Sequence, residues 1–146
     1  MNQTLEKMMN QHIANWTVLD MKLHNYHWFV KGADFFTLHS KFEELYSEAS
    51  EIIDEVAERL LAIGGKPIAT LKEVMQYTTL QEAEGQATAE QMVGAIVKDF
   101  DQLKGEIKEA IKVSDDDNDV VTSDMFTEIL GKLDKHTWML NALLGK

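Results

Sequence analysis

The 146-residue chain contains no cysteine, which excludes both a disulfide framework and a thiolate metal site. It has a single proline and no internal repeat, so nothing punctuates it into separate units. One domain over residues 1–146 is expected, long enough for a proper core. Basic residues are few: 14 Lys and Arg stand against 25 Asp and Glu, a formal net charge of −11. That balance argues against nucleic acid, whose binding depends on Lys and Arg neutralising phosphates. It favours the attraction of small cations. No stretch approaches the ~18 apolar residues of a membrane span. The segment Met1–Gln11 lacks the basic flank and apolar centre of a signal peptide, so a cytoplasmic, membrane-free protein is expected. Strand-type alternation is missing as well, although 45% of the residues are apolar, a globular rather than a disordered composition.

What the chain does have is helical periodicity from end to end. A first helix is expected from about Thr4 to Val30, its buried side traced by Leu5, Met8, Met9, His12, Ile13, Trp16, Leu19, Leu23, Tyr26 and Val30. Lys31-Gly32-Ala33-Asp34 stops it, with Asp34 placed to N-cap a second helix that reaches Ile63 before Gly64-Gly65-Lys66-Pro67. Capping boxes at Thr70–Glu73 and Thr88–Gln91 open a short helix to Tyr77 and a third long helix through Ile111. An acidic turn, Ser114–Asp119, precedes a fourth long helix from Ser123 through Leu144. Four long amphipathic helices without strands predict an all-α four-helix bundle. The crossover between the second and third long helices carries the short extra one.

The second helix holds the chemistry. Its core stripe is Leu38, Phe42, Leu45, Ala49, Ile52, Val56 and Leu60. Beside that stripe lie His39 and Glu43, one turn apart, and then Asp54 and Glu58, again one turn apart. Glu43 and Asp54 face nearly the same way but sit ~16 Å apart along the axis, so one chain cannot bring all four to one ion. Two chains can. A two-fold axis near residues 48 and 49 sets antiparallel copies so that His39 meets Glu58 and Glu43 meets Asp54. The same register sets Phe36 against Leu61 and centres on Ser47, Ala49 and Ser50, small enough for close approach. A C2 contact must be self-complementary in this way. Otherwise Glu43, Asp54 and Glu58 are ordinary solvated charges.

The hairpin between the first two helices adds a nitrogen donor. His27 and His39 are equidistant from the turn at Ala33 and stand at one height in an antiparallel pair. Two imidazoles and three carboxylates suit iron, manganese or zinc rather than calcium or a soft metal. Clustered carboxylates repel one another, and a divalent cation removes that cost. Two other readings use fewer residues: a mononuclear zinc or manganese protein built on Asp20, His24 and His27, at steps of four and three, and a non-catalytic structural helical oligomer. Asp115, Asp117 and Asp119 imitate the start of an EF-hand loop, but Val120 replaces the required Gly and Phe126 the closing Glu, so calcium is excluded there. His12 and His136 carry no argument beyond packing, and His24 reads as a surface or interface residue.

The stretches LHNYHWFVKG (23–32), FFTLHSKFEELY (35–46) and DEVAERLLAIGGKP (54–67), with DKHTWM near the C-terminus, resemble the Dps family. These are the mini-ferritins, and the likeness is to their Gram-positive branch, over nearly the whole chain. The resemblance implies a ferritin-like bundle assembled as a hollow dodecameric shell, with a two-iron oxidation site between two-fold-related subunits. Carried over position by position, His27, His39 and Glu43 come from one chain, and Asp54 and Glu58 from its partner. It implies oxidation of Fe(II), with hydrogen peroxide preferred over dioxygen, storage of the ferric mineral, and protection against oxidative damage. The family usually has Asp where this chain has Glu43; the extra methylene keeps the carboxylate but changes its reach. Trp28, next to His27, is expected to pack behind the site, with a part as an electron donor as the alternative to an ordinary buried residue. The acidic turn resembles the family's three-fold pore, making Asp115, Asp119 and Asp124 candidates to conduct iron inward. Members that coat DNA carry a Lys-rich terminal extension, whereas Lys7 is the only basic residue among the first 21; DNA binding is not expected.

Overall fold

Caps and apolar periodicity set the helix limits in the computed structural model, which describes residues 1–146. Five helices form: α1 (Gln3–Phe29), α2 (Phe35–Ala62), α3 (Leu71–Tyr77), α4 (Ala89–Asp116) and α5 (Val120–Leu143). Asn2 caps α1 by accepting from the Leu5 N–H at 3.0 Å, which satisfies one of the donors left free at a helix start. Thr88 and Gln91 form the anticipated capping box of α4. At α3, Thr70 accepts from the Glu73 N–H at 3.2 Å, while Glu73 reaches back to the Ala69 N–H at 3.1 Å. Asp34 occupies the N-cap position of α2, as expected, but its side chain makes no capping bond.

The acidic turn is shorter than the sequence predicts. Ser114–Asp116 stays helical, and α5 starts at Val120 rather than Ser123. Asn118 adopts φ +59°, and its N–H and that of Asp119 donate to the carbonyls of Asp115 and Ser114 at 3.0 and 2.8 Å. This pair of bonds closes a helix C-terminus tightly, and Asn is the residue besides Gly that tolerates it. Asp119 then caps α5 by accepting from the Thr122 N–H at 3.0 Å. Gly64, at φ +88°, ends α2 by the same pair of bonds, onto Leu61 and Leu60.

Each long helix contributes one large aromatic to the centre: Trp16, Phe42, Phe100 and Phe126, all with 2% exposure or less. Each such burial is worth about 1.5–3 kcal/mol, so the centre, not helix propensity, holds the bundle together. α1 packs against α2 and α4 against α5 as two hairpins, with α1 also touching α4 and α3. Polar side chains bridge the seam between α2 and α5. Arg59 donates to Asp119 at 2.8 Å. Lys41 Nζ lies 3.1 Å from His136 Nδ1, and His136 Nε2 lies 2.8 Å from Glu48. An ammonium can only donate, so Nδ1 accepts and the Nε2–H donates to Glu48. His136 thus does more than pack. Its hydrogen bond, outweighing burial, holds the Glu48 carboxyl below its ordinary range.

The crossover is tied to α1 by two buried asparagines. Asn10 donates to the Lys66 carbonyl at 3.0 Å and accepts from the Ile68 N–H at 2.9 Å. Asn15 accepts from the Thr79 N–H and the Thr78 hydroxyl at 2.8 and 2.7 Å, and donates to Glu106 at 2.8 Å. Each amide thereby repeats the donor–acceptor pairing of a backbone unit, which a segment without regular structure otherwise lacks. Lys22 adds a third tie, to Asp99 at 2.8 Å and to the Gln81 carbonyl at 2.9 Å.

Candidate metal centre

Gly32, at φ +111°, lets the chain reverse between α1 and α2 at no steric cost. The reversal brings His27, in the last turn of α1, beside His39 near the start of α2. The two residues clasp each other. His39 Nδ1 lies 2.7 Å from the His27 carbonyl, and His27 Nδ1 lies 2.6 Å from the His39 carbonyl. The His27 carbonyl belongs to the final helical turn, where such oxygens lack an intrahelical donor. A carbonyl only accepts, so both Nδ1 atoms carry hydrogen, and each Nε2 holds a lone pair whenever its ring is neutral. The rings stack at 3.7 Å with 13° between their planes, and Phe35 backs His39 at 5.0 Å. This is the arrangement that metal-binding imidazoles require: one nitrogen anchored, the other free.

Glu43 Oε1 lies 3.9 Å from His27 Nε2. With His27 neutral, both atoms are acceptors, and neither can satisfy the other. A cation bound at ~2.1 Å by each spans that gap. The donor set therefore fits a borderline divalent ion. Asp54 and Glu58 lie farther along α2 and are exposed. No three His, Asp or Glu side chains converge closely enough within one chain to hold an ion. The structure thus brings His27, His39 and Glu43 near one another and leaves Asp54 and Glu58 exposed farther along the helix.

The single-chain alternative on Asp20, His24 and His27 does not assemble, since it too would be such a group. His24 instead sets its Nδ1 2.7 Å from the Asp20 carbonyl and stacks on Tyr46 at 3.7 Å. Within one chain Trp28 is not buried: it is 61% exposed, with its ring 5.4 Å from His24. The helical period places it on the side away from the core, and only position next to His27 had argued otherwise. Ala49 is fully buried within its own chain, so of the three small residues only Ser47 and Ser50 reach the outer face. Phe36 and Leu61 on that face are 84% and 60% exposed, an apolar surface left open beside the acids.

Asp115 and Asp124 are exposed, whereas Asp119 is engaged. Burial alone would raise its pKa, but donors from Thr122 and Arg59 outweigh this and leave the carboxyl below its ordinary range. Sequence reasoning missed Tyr46, whose ring lies between His24 and His27 at 3.7 and 5.4 Å. Its place one turn after Glu43 was the available signal. Partial desolvation and then the Glu43 charge raise its phenol above the ordinary value.

A ferritin-like domain model matches residues 6–146. The chain is 51% identical to general stress protein 20U of Bacillus subtilis, over 99% of this chain and all of that one. It is 49% identical to DNA protection during starvation protein 2 of Bacillus anthracis, over the full length of both. The crystal structure of Dps from Staphylococcus aureus superposes with a TM-score of 0.96 at 46% identity, covering 98% of this chain and 96% of that one. A clasped histidine pair on a five-helix ferritin-like scaffold, with full-length matches of this strength, makes the chain a member of the Dps family.

Proposed function

We propose that this protein oxidises Fe(II) at a two-iron site shared between two-fold-related subunits and stores the ferric product inside a dodecameric shell, protecting against oxidative damage. One observation carries the reading: the reciprocal His27–His39 clasp, which leaves two Nε2 lone pairs and the Glu43 carboxylate without an acid partner in their own chain. Asp54 and Glu58 of the two-fold mate supply the missing carboxylates. Hydrogen peroxide is the preferred oxidant, with dioxygen as the slower one. Peroxide takes one electron from each of two ferrous ions and, with two protons, leaves as two waters, so no hydroxyl radical is released. The histidines fix the substrate iron, and the carboxylates offset its rising charge. Trp28, next to His27 in the chain, is the candidate one-electron donor, and Asp115 and Asp124 remain the candidates for an inward iron path.

The chain has no helix long and apolar enough to cross a membrane, and we place the shell in the cytoplasm. A charge of −11 opposes attraction to DNA phosphates, and we infer that the protein does not bind DNA. Plasmid DNA should therefore keep its electrophoretic mobility at neutral pH in the presence of the protein. A salt-sensitive shift would overturn this. The main test is an anaerobic Fe(II) titration followed by addition of peroxide. About two ferrous ions per chain should bind at protein sites before oxidation. Binding of one or none would sink the two-iron reading.

A further inference from the structure

Aromatic rings form a row from the exposed Trp28 to the paired histidines. The Trp28 ring meets that of His24 at 5.4 Å, and His24 stacks on Tyr46 at 3.7 Å and 17°. Tyr46 in turn meets the His27 ring edge-on, at 5.4 Å and 86°, a favoured geometry for ring pairs. His24, in the middle of the row, is anchored to its own helix, with Nδ1 2.7 Å from the Asp20 carbonyl. Two members of the row give up one electron readily, the indole of Trp28 and the phenol of Tyr46. Tyr46 is the nearer, since its ring adjoins His27, whereas Trp28 pairs with His24, one ring further out.

A centre that holds a single ferrous ion is one electron short. Peroxide needs two electrons to become water, and one Fe(II) supplies one, which leaves a hydroxyl radical unless another donor is at hand. We propose that Tyr46 supplies that second electron, ahead of Trp28. The inference rests on His27 being an iron ligand of the shared site. The phenol is protonated at neutral pH. It loses one electron and releases its proton to the water that reaches this partly buried side chain. The step converts Fe(II), peroxide, the phenol and one further proton into Fe(III), two waters and a phenoxyl radical on Tyr46.

The test loads the assembled protein anaerobically with half of its Fe(II) complement, adds peroxide and freezes the mixture for electron paramagnetic resonance. An organic radical should appear. Ring-deuterated tyrosine should narrow its signal, and ring-deuterated tryptophan should not. Tyr46→Phe, which keeps the stack on His24, should abolish the radical and raise the yield of hydroxyl adducts on an added spin trap. Trp28→Phe should leave both readouts at the wild-type level. Tyr26→Phe and Tyr77→Phe, which remove the other two phenols, should retain the signal, so the assignment stands by elimination even if Tyr46→Phe unfolds. No radical in the wild type, narrowing by deuterated tryptophan alone, or an undiminished signal in folded Tyr46→Phe overturns the proposal. His27→Ala tells this failure from that of the site itself. Iron oxidation at the wild-type rate in His27→Ala removes the iron ligand; a slow His27→Ala beside an undiminished radical in Tyr46→Phe removes only the donor.

Discussion

Two variants that are each inactive should restore one another when assembled together. A chain carrying His27→Ala and His39→Ala lacks the nitrogen half of the centre, and one carrying Asp54→Ala and Glu58→Ala lacks the acid half. Either alone should lose rapid iron oxidation by on the order of a hundredfold or more, since outer partners of metal ligands already cost 10–100-fold. Co-expressed in equal amounts, half of the two-fold pairs are mixed. Every mixed pair owns one complete centre and one that lacks all four residues. Initial oxidation should recover to about a quarter of the wild-type rate, a value dictated by the two-fold symmetry alone. Native mass spectrometry confirms the mixing, and melting curves check that each variant is folded. Mixed assemblies with no recovery, or full activity in the Asp54→Ala/Glu58→Ala chain by itself, would end the shared-site reading.

The second large effect lies in the core. His12 is 4% exposed, and burial lowers its pKa to about 3. Trp16 Nε1–H donates to His12 Nε2 at 2.8 Å, and the Phe126 ring closes over it at 5.2 Å. The folded state thus keeps this imidazole neutral, while the unfolded chain protonates it near 6.5. Stability from this site is complete above pH 6.5 and declines as pH falls toward 3, because there the unfolded state binds the extra proton. At 1.36 kcal/mol per pH unit, the loss by pH 4.5 is about 3 kcal/mol. His12→Gln offers Trp16 an acceptor that does not titrate. Denaturant unfolding at pH 7 and pH 4.5 should show the wild-type advantage over this variant shrinking by about that amount. Parallel pH profiles for the two proteins would contradict the assignment.

How much of this was readable beforehand depends on the range of each interaction. The helices were legible because an apolar stripe repeats every three to four residues and because Thr70 and Thr88 cap locally. The His27–His39 pairing was legible because a hairpin has a centre from which distances can be counted. Contacts between residues far apart in sequence leave no such mark. Arg59 reaches Asp119 across 60 positions, and His136 reaches Glu48 across 88. The crossover asparagines belong to the same class, since nothing near Asn10 or Asn15 announces that each will stand in for a missing backbone partner. Periodicity also separates inside from outside only with respect to one chain. It set Ala49 in both the core stripe and the outer face, and the structure keeps only the first. The turn around Asn118 was drawn too long because a left-handed Asn closes a helix end as tightly as Gly does, without the signal that Gly gives.

The clasp between the two histidines has a consequence for inheritance. Each ring is secured by the other residue's backbone oxygen, so replacing one does not subtract a single ligand. It strips a hydrogen bond from its mate's carbonyl and opens the stack that held the mate upright. Deletions at the two positions should therefore fall well short of additive, with the first doing most of the damage. Lineages that abandon the iron chemistry should lose both imidazoles in quick succession rather than keep one as a relic.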